Sequence, residues 1–215
     1  FRGSFVAVAL ILLAGVVSVV AQSGRSSARS QAKPYTTWTA YGGGPHSSQF
    51  TALSQVNKAN VSQLQVAWTY PVSGNITFNP IVVDNVMYVQ GTGNAIVALD
   101  AATGKEIWTH PNQGGIGGRG LNYWESPDRS DRRLIYLNQG NITAIDARTG
   151  QTITSFGKNG RVDLRTALWR DVRNPLQTSN PGRIADDTII MSLPAQGAGY
   201  EANPADVHAY DVRTG

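Results

Sequence analysis

The sequence predicts an all-β protein, and three observations lead to that prediction. The chain of 215 residues contains 23 glycines and 10 prolines but only 15% charged residues. That balance is typical of many short strands joined by tight turns. Hydrophobic residues make up 41% of the chain, which is enough to bury a core. The third observation is a motif that recurs along the chain, and it predicts how the strands are grouped.

The recurring motif is an Asp-x-x-Thr-Gly turn that follows an apolar run. It occurs three times, with its aspartate at Asp100, Asp146 and Asp211, at spacings of 46 and 65 residues. We expect each aspartate to accept hydrogen bonds from the turn amides and each glycine to take a positive φ. A period of about 40 to 50 residues, with an insertion in the third unit, predicts the blades of a β-propeller.

A second strand pair precedes each repeat. Residues 80–89 form two β-rich runs around Asp84-Asn85, and residues 131–137 and 186–191 resemble the second of these runs. Trp68 and Trp108 hold equivalent places, from which a large aromatic side chain can wedge between neighbouring sheets. The sequence therefore predicts two complete blades of four antiparallel strands, a third without its outer strand, and an N-terminal strand available to close a ring.

The N-terminal segment predicts export. An apolar run from Phe5 to Val20 follows the basic Arg2 and ends at Ala21, the layout of a secretory signal. The run is also about as long as the shortest membrane span, so residues 1–21 are a signal peptide or an N-terminal anchor. Residues 22–34 are expected to be a flexible linker, and residues 35–215 a partial propeller domain. The predicted location is the periplasm or the exterior, with anchorage to the outer face of the inner membrane as the alternative.

Charge and composition exclude several functional classes. The formal net charge of +4 is modest, and the densest basic group (Arg129, Arg132 and Arg133) is interleaved with aspartates. We interpret that group as a mixed-charge turn, and we expect no nucleic-acid partner. The absence of cysteine excludes disulfides and thiolate metal sites within this chain. The three histidines share no ligand spacing and are interpreted as ordinary polar residues.

An ordered set of motifs resembles the pyrroloquinoline quinone dehydrogenases, above all the glucose dehydrogenase-like branch. The set comprises residues 38–44, 53–57, 66–68, the three Asp-x-x-Thr-Gly turns, 105–108 and 119–124. The resemblance implies an eight-bladed propeller, of which this chain supplies fewer than half the blades. We therefore expect an N-terminal fragment that is inactive alone.

The same resemblance implies a reaction and its partners. The family oxidises a sugar or alcohol hydroxyl by hydride transfer to pyrroloquinoline quinone, with Ca²⁺ polarising the quinone and an aspartate acting as base. Electrons then pass to a membrane quinone or a cytochrome. The catalytic aspartate and most ion ligands are expected after Gly215, so no catalytic or metal-binding residue is assigned to this chain.

The resemblance also implies four cofactor-binding residues. Arg119, in its Arg-Gly-x-x-Tyr-Trp context, is expected beside the quinone, where a guanidinium can fork onto a carboxylate or quinone oxygen. The alternative is an arginine that satisfies backbone carbonyls. Thr178 is expected to bond a cofactor carboxylate, or else to satisfy a strand end. Gly197 and Ala198 are expected beneath the ring, where small residues permit close approach. Thr77 holds the place that matches Thr178 but is not assigned, and Glu201 is interpreted as a loop residue.

A second function remains open. The same repeats also build non-catalytic propeller scaffolds and binding proteins of the cell envelope. The sequence favours the enzyme because a scaffold has no need of Arg119 with its aromatic context or of the small-residue loop at Gly197.

Overall fold

The computed structural model describes residues 35–74, 76–172, 176, 178–193 and 206–215. The predicted signal or anchor, the linker, and the predicted sites at Gly197 and Ala198 lie outside these ranges. Within them, no helix is long and apolar enough to cross a membrane. The described residues from Tyr35 onward belong to one compact unit.

Eleven strands form three antiparallel sheets in the described part of the chain, and we call these sheets blades 1, 2 and 3. Blade 1 contains β1 (Ile81–Val83), β2 (Val86–Gln90), β3 (Ile96–Asp100) and β4 (Glu106–His110). Blade 2 contains β5 (Asn122–Glu125), β6 (Arg132–Asn138), β7 (Asn141–Asp146) and β8 (Arg161–Asp163). Blade 3 contains β9 (Arg183–Ala185), β10 (Thr188–Ser192) and β11 (Val207–Asp211). Three short 3₁₀ turns lie at Val61–Gln63, Thr92–Asn94 and Leu164–Ala167.

Each blade is an up-and-down meander in chain order, so the predicted blade count is confirmed. The predicted hairpin around Asp84-Asn85 is present: Val83 pairs with Val86, and Asp84 has a φ of 54°. The predicted N-terminal strand is not seen among the described residues before Ile81, where Trp38 forms a single bridge with Val82.

The Asp-x-x-Thr-Gly turns have the predicted hydrogen bonds. The Asp100 carboxylate accepts from the amides of Ala102 and Thr103 at 3.1 and 2.8 Å, and from the Thr103 hydroxyl at 2.8 Å. Gly104 closes the turn with a φ of 71° and donates its amide to the Asp100 carbonyl at 2.8 Å. The turns at Asp146 and Asp211 repeat these contacts.

Blade 2 is covered on both faces because strand side chains alternate. On β6, Leu134 and Tyr136 face the core that blade 2 shares with blade 1, whereas Ile135 and Leu137 face the core shared with blade 3. The first core is built mainly from Ile81, Val83, Tyr88, Ile96, Leu121, Tyr123, Leu134, Tyr136 and Ile145. The second is built mainly from Trp124, Ile135, Ile142, Phe156, Leu164, Ile184, Ile189, Met191 and Val212.

The predicted wedge at Trp108 is confirmed, and Trp68 makes the matching contacts with the turn of blade 1. The Trp108 indole packs on the turn glycine of blade 2: a Cβ added at Gly150 would lie 2.6 Å from the ring. Its Nε1 donates to the Ala147 carbonyl at 3.3 Å. Trp68 repeats the arrangement on Gly104 and donates to Ala101 at 3.1 Å.

The arginine-rich turn is of mixed charge, with one correction. Arg129 pairs with Glu125 at 2.9 Å and also with Asp84, as expected for a mixed-charge surface. Arg133, however, is only 7% exposed. It pairs with Asp131 at 2.7 Å and donates to the carbonyls of Val212 and Arg213 in blade 3. The sequence did not reveal this burial because the partner carbonyls are some eighty residues away.

Candidate functional site

The candidate site lies where the chain enters the first strand of each blade. Strand β5 of blade 2 lies against β9 of blade 3, so the first strands are the inner ones. The entry segments before β1, β5 and β9 are residues 77–80, 116–121 and 178–182. The predicted residues Arg119 and Thr178 belong to two of these segments, and Thr77 belongs to the third.

Glycines let the middle segment fit between the other two. A Cβ added at Gly117 would lie 2.8 Å from the Thr178 carbonyl oxygen, and one at Gly120 would lie 2.6 Å from the Asn79 oxygen. Gly118 lies beside Thr77: a Cβ added at Gly118 would lie 3.3 Å from the Thr77 carbonyl oxygen. A side chain at Gly117 or Gly120 would displace the neighbouring backbone. The spacing of these glycines therefore positions the turn that presents Arg119.

Further hydrogen bonds hold the turn in place. The Gly120 amide donates to the Gly117 carbonyl at 2.8 Å, and Gly120 has a φ of 83°, which favours glycine. On the side of blade 1, the side-chain amide of Asn79 donates to the Gly118 carbonyl through Nδ2 at 2.9 Å. Arg119 thus stands on a turn whose backbone is fixed from both sides.

The Arg119 side chain is exposed and its guanidinium lies over an aromatic ring, 5.4 Å from the centroid of Tyr41. A second guanidinium, that of Arg183 on β9, lies 5.9 Å from the same centroid and donates to the Tyr41 carbonyl at 2.6 Å. Among the described residues no carboxylate pairs with Arg119. Its fork of N–H donors is therefore available to an anionic ligand.

Thr178 has one of the two roles that the sequence left open, the hydrogen bond at a strand entry. Its hydroxyl oxygen accepts a hydrogen bond from the backbone amide of Asn180 at 3.0 Å, which gives that amide a partner in the turn before β9. The hydroxyl proton remains available for donation. Thr178 also lines a cavity of about 400 Å³. The other lining residues are Gly115, Ile116, Gly117, Leu137, Gln139, Gly140, Leu176 and Ser179.

The structure brings together only part of the predicted site. Gly117 joins the Arg119 turn to Thr178, but Arg119 itself is not among the residues that line the cavity. Gly197, Ala198 and Glu201 lie outside the described residues. In the described part of the chain no three His, Asp or Glu side chains cluster as a metal site would require.

Sequence reasoning missed three residues of this region. Tyr41 and Arg183 form the ring contacts of Arg119. Asn122 on β5 is 1% exposed and donates to the Pro181 carbonyl at 2.8 Å, linking the inner strands of blades 2 and 3. Two of these positions carried a signal: Arg183 is a charge at the start of an inner strand, and Asn122 is an amide within an apolar run. Tyr41 carried none, because its partners are distant in sequence.

Burial and hydrogen bonding shift the pKa of Tyr123, the next residue of β5. Tyr123 is 8% exposed, and its hydroxyl donates to Glu125 at 2.8 Å. Burial, followed by that hydrogen bond to a carboxylate, raises the pKa of Tyr123 well above its usual range. The phenol stays protonated at neutral pH and therefore serves as a fixed hydrogen-bond donor near the entry segment.

Comparison with known proteins gives one family. Residues 38–215 match the family model "PQQ: Glucose/ethanol/alcohol dehydrogenase, beta-propeller domain". Quinoprotein glucose dehydrogenase A of Acinetobacter calcoaceticus is 26% identical over 213 residues, which cover 83% of this chain and 27% of that protein. Quinohemoprotein alcohol dehydrogenase of Comamonas testosteroni is 30% identical, over 87% of this chain and 26% of that protein.

A solved structure agrees with the propeller prediction. The crystal structure of the Comamonas testosteroni quinohemoprotein alcohol dehydrogenase superimposes with a TM-score of 0.61 at 24% identity, over 87% of this chain and 27% of that one. The three described sheets are therefore blades of a partial β-propeller. The chain spans about a quarter of the length of the curated relatives it matches.

Proposed function

Because this chain belongs to the family of pyrroloquinoline quinone-dependent glucose, ethanol and alcohol dehydrogenase β-propellers, we propose that it is part of a quinoprotein oxidoreductase that oxidises a sugar or alcohol hydroxyl. The observation that carries the proposal is the Arg119 turn, clamped between the entry segments of blades 1 and 3. That geometry presents an exposed cation at the inner strands, which surround the central channel of a propeller.

The residues present suit a planar anionic cofactor. Pyrroloquinoline quinone, when bound, supplies the two-electron acceptor for hydroxyl oxidation. Arg119 would hold one of its carboxylate or quinone oxygens through a forked hydrogen bond. Thr178 would donate its hydroxyl proton to another oxygen, and Gly117 would permit backbone approach. Tyr41 would keep the Arg119 guanidinium oriented by its ring contact.

Ion, partners and location complete the proposal. A divalent ion, Ca²⁺, would take its ligands outside the described residues. Electrons would leave for a membrane quinone or a cytochrome. Residues 1–21 would direct the protein to the periplasm or the exterior, with anchorage to the outer face of the inner membrane as the alternative. Fractionation of cells that express the protein tests the location, because recovery in the cytoplasm would contradict export.

Reconstitution tests the enzymatic proposal. We expect the full-length protein, loaded with pyrroloquinoline quinone and Ca²⁺, to reduce an artificial dye with a sugar or an alcohol as donor. Arg119→Ala should weaken cofactor retention in equilibrium dialysis about tenfold or more, because a charge-assisted hydrogen bond is lost. Arg148→Ala is the matched control, since Arg148 is an exposed arginine in the Asp146 turn, outside this site.

The outcomes separate the two functions. Cofactor binding that is unchanged in Arg119→Ala would remove the site assignment while leaving the enzyme intact. Absence of both cofactor binding and dye reduction in the wild-type protein would favour the non-catalytic scaffold.

A further inference from the structure

A second cavity lies between blades 1 and 2, away from the Arg119 turn. It has a volume of about 510 Å³, and its wall includes the end of β4, the middle of β7 and the start of β8. The polar residues that line it are His110, Thr143, Thr152, Lys158, Asn159 and Arg161. No acidic side chain is among the lining residues. None of them belongs to the proposed cofactor site.

A tight turn pairs the backbones of the two cationic residues of this cavity. Lys158 and Arg161 exchange backbone hydrogen bonds, from the Lys158 amide at 2.8 Å and from the Arg161 amide at 3.3 Å. Between them Asn159 and Gly160 have φ values of 55° and 85°, as in the Asn-Gly hairpin turn. A Cβ added at Gly160 would lie 2.3 Å from Thr152, so the turn is packed against the rest of the blade. The backbone positions of Lys158 and Arg161 are therefore fixed by the turn, and both side chains are exposed.

Placing two cations opposite each other without a counter-charge is unfavourable. No carboxylate among the described residues pairs with Lys158 or Arg161, although five other arginines form such pairs. An anion in the cavity would relieve the repulsion between the two side chains.

Buried polar groups on the cavity wall point to the same class of ligand. Thr143 is 3% exposed, and its Oγ1 has no hydrogen-bond partner in the described structure. An unpaired buried hydroxyl is costly, and a ligand oxygen can satisfy it. His110 turns one ring nitrogen, Nδ1, to the Gly150 carbonyl at 2.8 Å. Burial, and to a lesser degree the Arg161 charge, lowers the pKa of His110, while the bond to Gly150 opposes the shift.

We propose that this cavity binds a small anionic ligand through an oxyanion group, either a phosphate or a carboxylate. The oxyanion lies between Lys158 and Arg161 and accepts a hydrogen bond from the Thr143 hydroxyl. Asn159 and Thr152 contribute neutral donors at the rim. The site is independent of the proposed cofactor site, because it shares no residue with it.

Calorimetric titration of the full-length protein with inorganic phosphate, and separately with acetate, tests the proposal. We expect saturable binding of at least one probe that weakens as NaCl is added. The probe that binds tells whether the ligand carries a phosphate or a carboxylate. Lys158→Gln combined with Arg161→Gln should weaken that binding about tenfold or more. Arg165→Gln removes a cation from the same blade but outside the cavity, and should leave the affinity unchanged.

A third variant tells whether the anion binds at a defined site that includes the Thr143 hydroxyl or is only attracted to surface cations. Thr143→Val keeps the shape of the side chain but removes the hydroxyl, and we expect it to weaken binding about threefold to tenfold. Failure of both probes to saturate the wild-type protein would overturn the proposal. Equal affinity in the wild type and the Lys158→Gln, Arg161→Gln double variant would also overturn it.

Discussion

The junction between blades 1 and 2 and the junction between blades 2 and 3 use different residues to hydrogen-bond an equivalent backbone carbonyl. In blades 2 and 3 the residue after the turn aspartate presents its carbonyl to the preceding blade. Ala147 of blade 2 receives hydrogen bonds from the Trp108 indole at 3.3 Å and the Tyr88 hydroxyl at 3.0 Å. Val212 of blade 3 instead receives the Arg133 guanidinium at 3.1 Å.

The side chains that cover the turn glycine also differ between the two junctions. Trp108 covers Gly150, whereas a Cβ at Gly215 would meet Val162 at 2.4 Å. In the second junction Trp124 sits between two cations, with Arg213 at 5.0 Å and Arg133 at 5.9 Å from its ring centroid. Both junctions supply a donor for this carbonyl and cover this glycine. They do so with different residues.

Removing the aromatic wedge tests the first junction and should have the largest effect. Trp108→Ala loses a large packed side chain and leaves the Ala147 carbonyl with one donor fewer, so we expect a destabilisation of about 3 kcal/mol. Chemical denaturation monitored by circular dichroism measures this loss. Trp169→Ala is the matched control, because Trp169 is 75% exposed, and it should change stability by no more than about 0.5 kcal/mol.

Removing the buried cation tests the second junction. Arg133→Ala leaves two backbone carbonyls without this donor and Asp131 without its partner, and we expect a loss of about 2 to 3 kcal/mol in the same assay. Arg133→Met keeps much of the bulk; if it were as stable as wild type, packing rather than hydrogen bonding would hold this junction. Arg165→Ala breaks an exposed pair with Asp163 and should cost about 0.5 kcal/mol or less.

The two turn glycines with nearly equal φ separate backbone strain from contact with tryptophan. Gly150 has a φ of 70° and lies against Trp108, whereas Gly93 has a φ of 69° and would place a Cβ in open space. We expect Gly93→Ala to cost about 1 kcal/mol and Gly150→Ala about 2 kcal/mol. Thermal melts of both variants measure the difference. Equal costs would show that Trp108 does not constrain the turn.

A pH profile tests the smallest effect, that of His110 at the first junction. Since the folded pKa of His110 is lowered, mainly by burial, its contribution to stability is present above the unfolded pKa of about 6.5. That contribution is lost as the pH falls through the folded pKa. The stability difference between wild type and His110→Gln should therefore shrink between about pH 7 and pH 5, by about 0.5 kcal/mol or less. A difference that grows on acidification would contradict this sign.

The candidate site was less accessible to sequence reasoning than the fold. Arg119 and Thr178 were predicted because their motif context resembles a known family, and the structure places their segments in contact through Gly117. The ring contact with Tyr41 joins residues almost eighty positions apart, and no local pattern encodes it. Arg133 was interpreted as a surface charge because its neighbours are charged, yet its burial depends on blade 3. The turn at Asn159-Gly160 was readable from its dipeptide, but the facing cavity was not.

The sequence by itself determined the repeating unit of this protein, a set of strands with an Asp-x-x-Thr-Gly turn. In the Asp-x-x-Thr-Gly turn the aspartate side chain forms its hydrogen bonds within three residues, and the alternation of apolar residues assigns the faces of each strand, so both are local properties. The tertiary structure alone decided which donor reaches each junction carbonyl and which cations share a ring or a cavity. These contacts join residues tens of positions apart, and they exist only once separate sheets pack face to face.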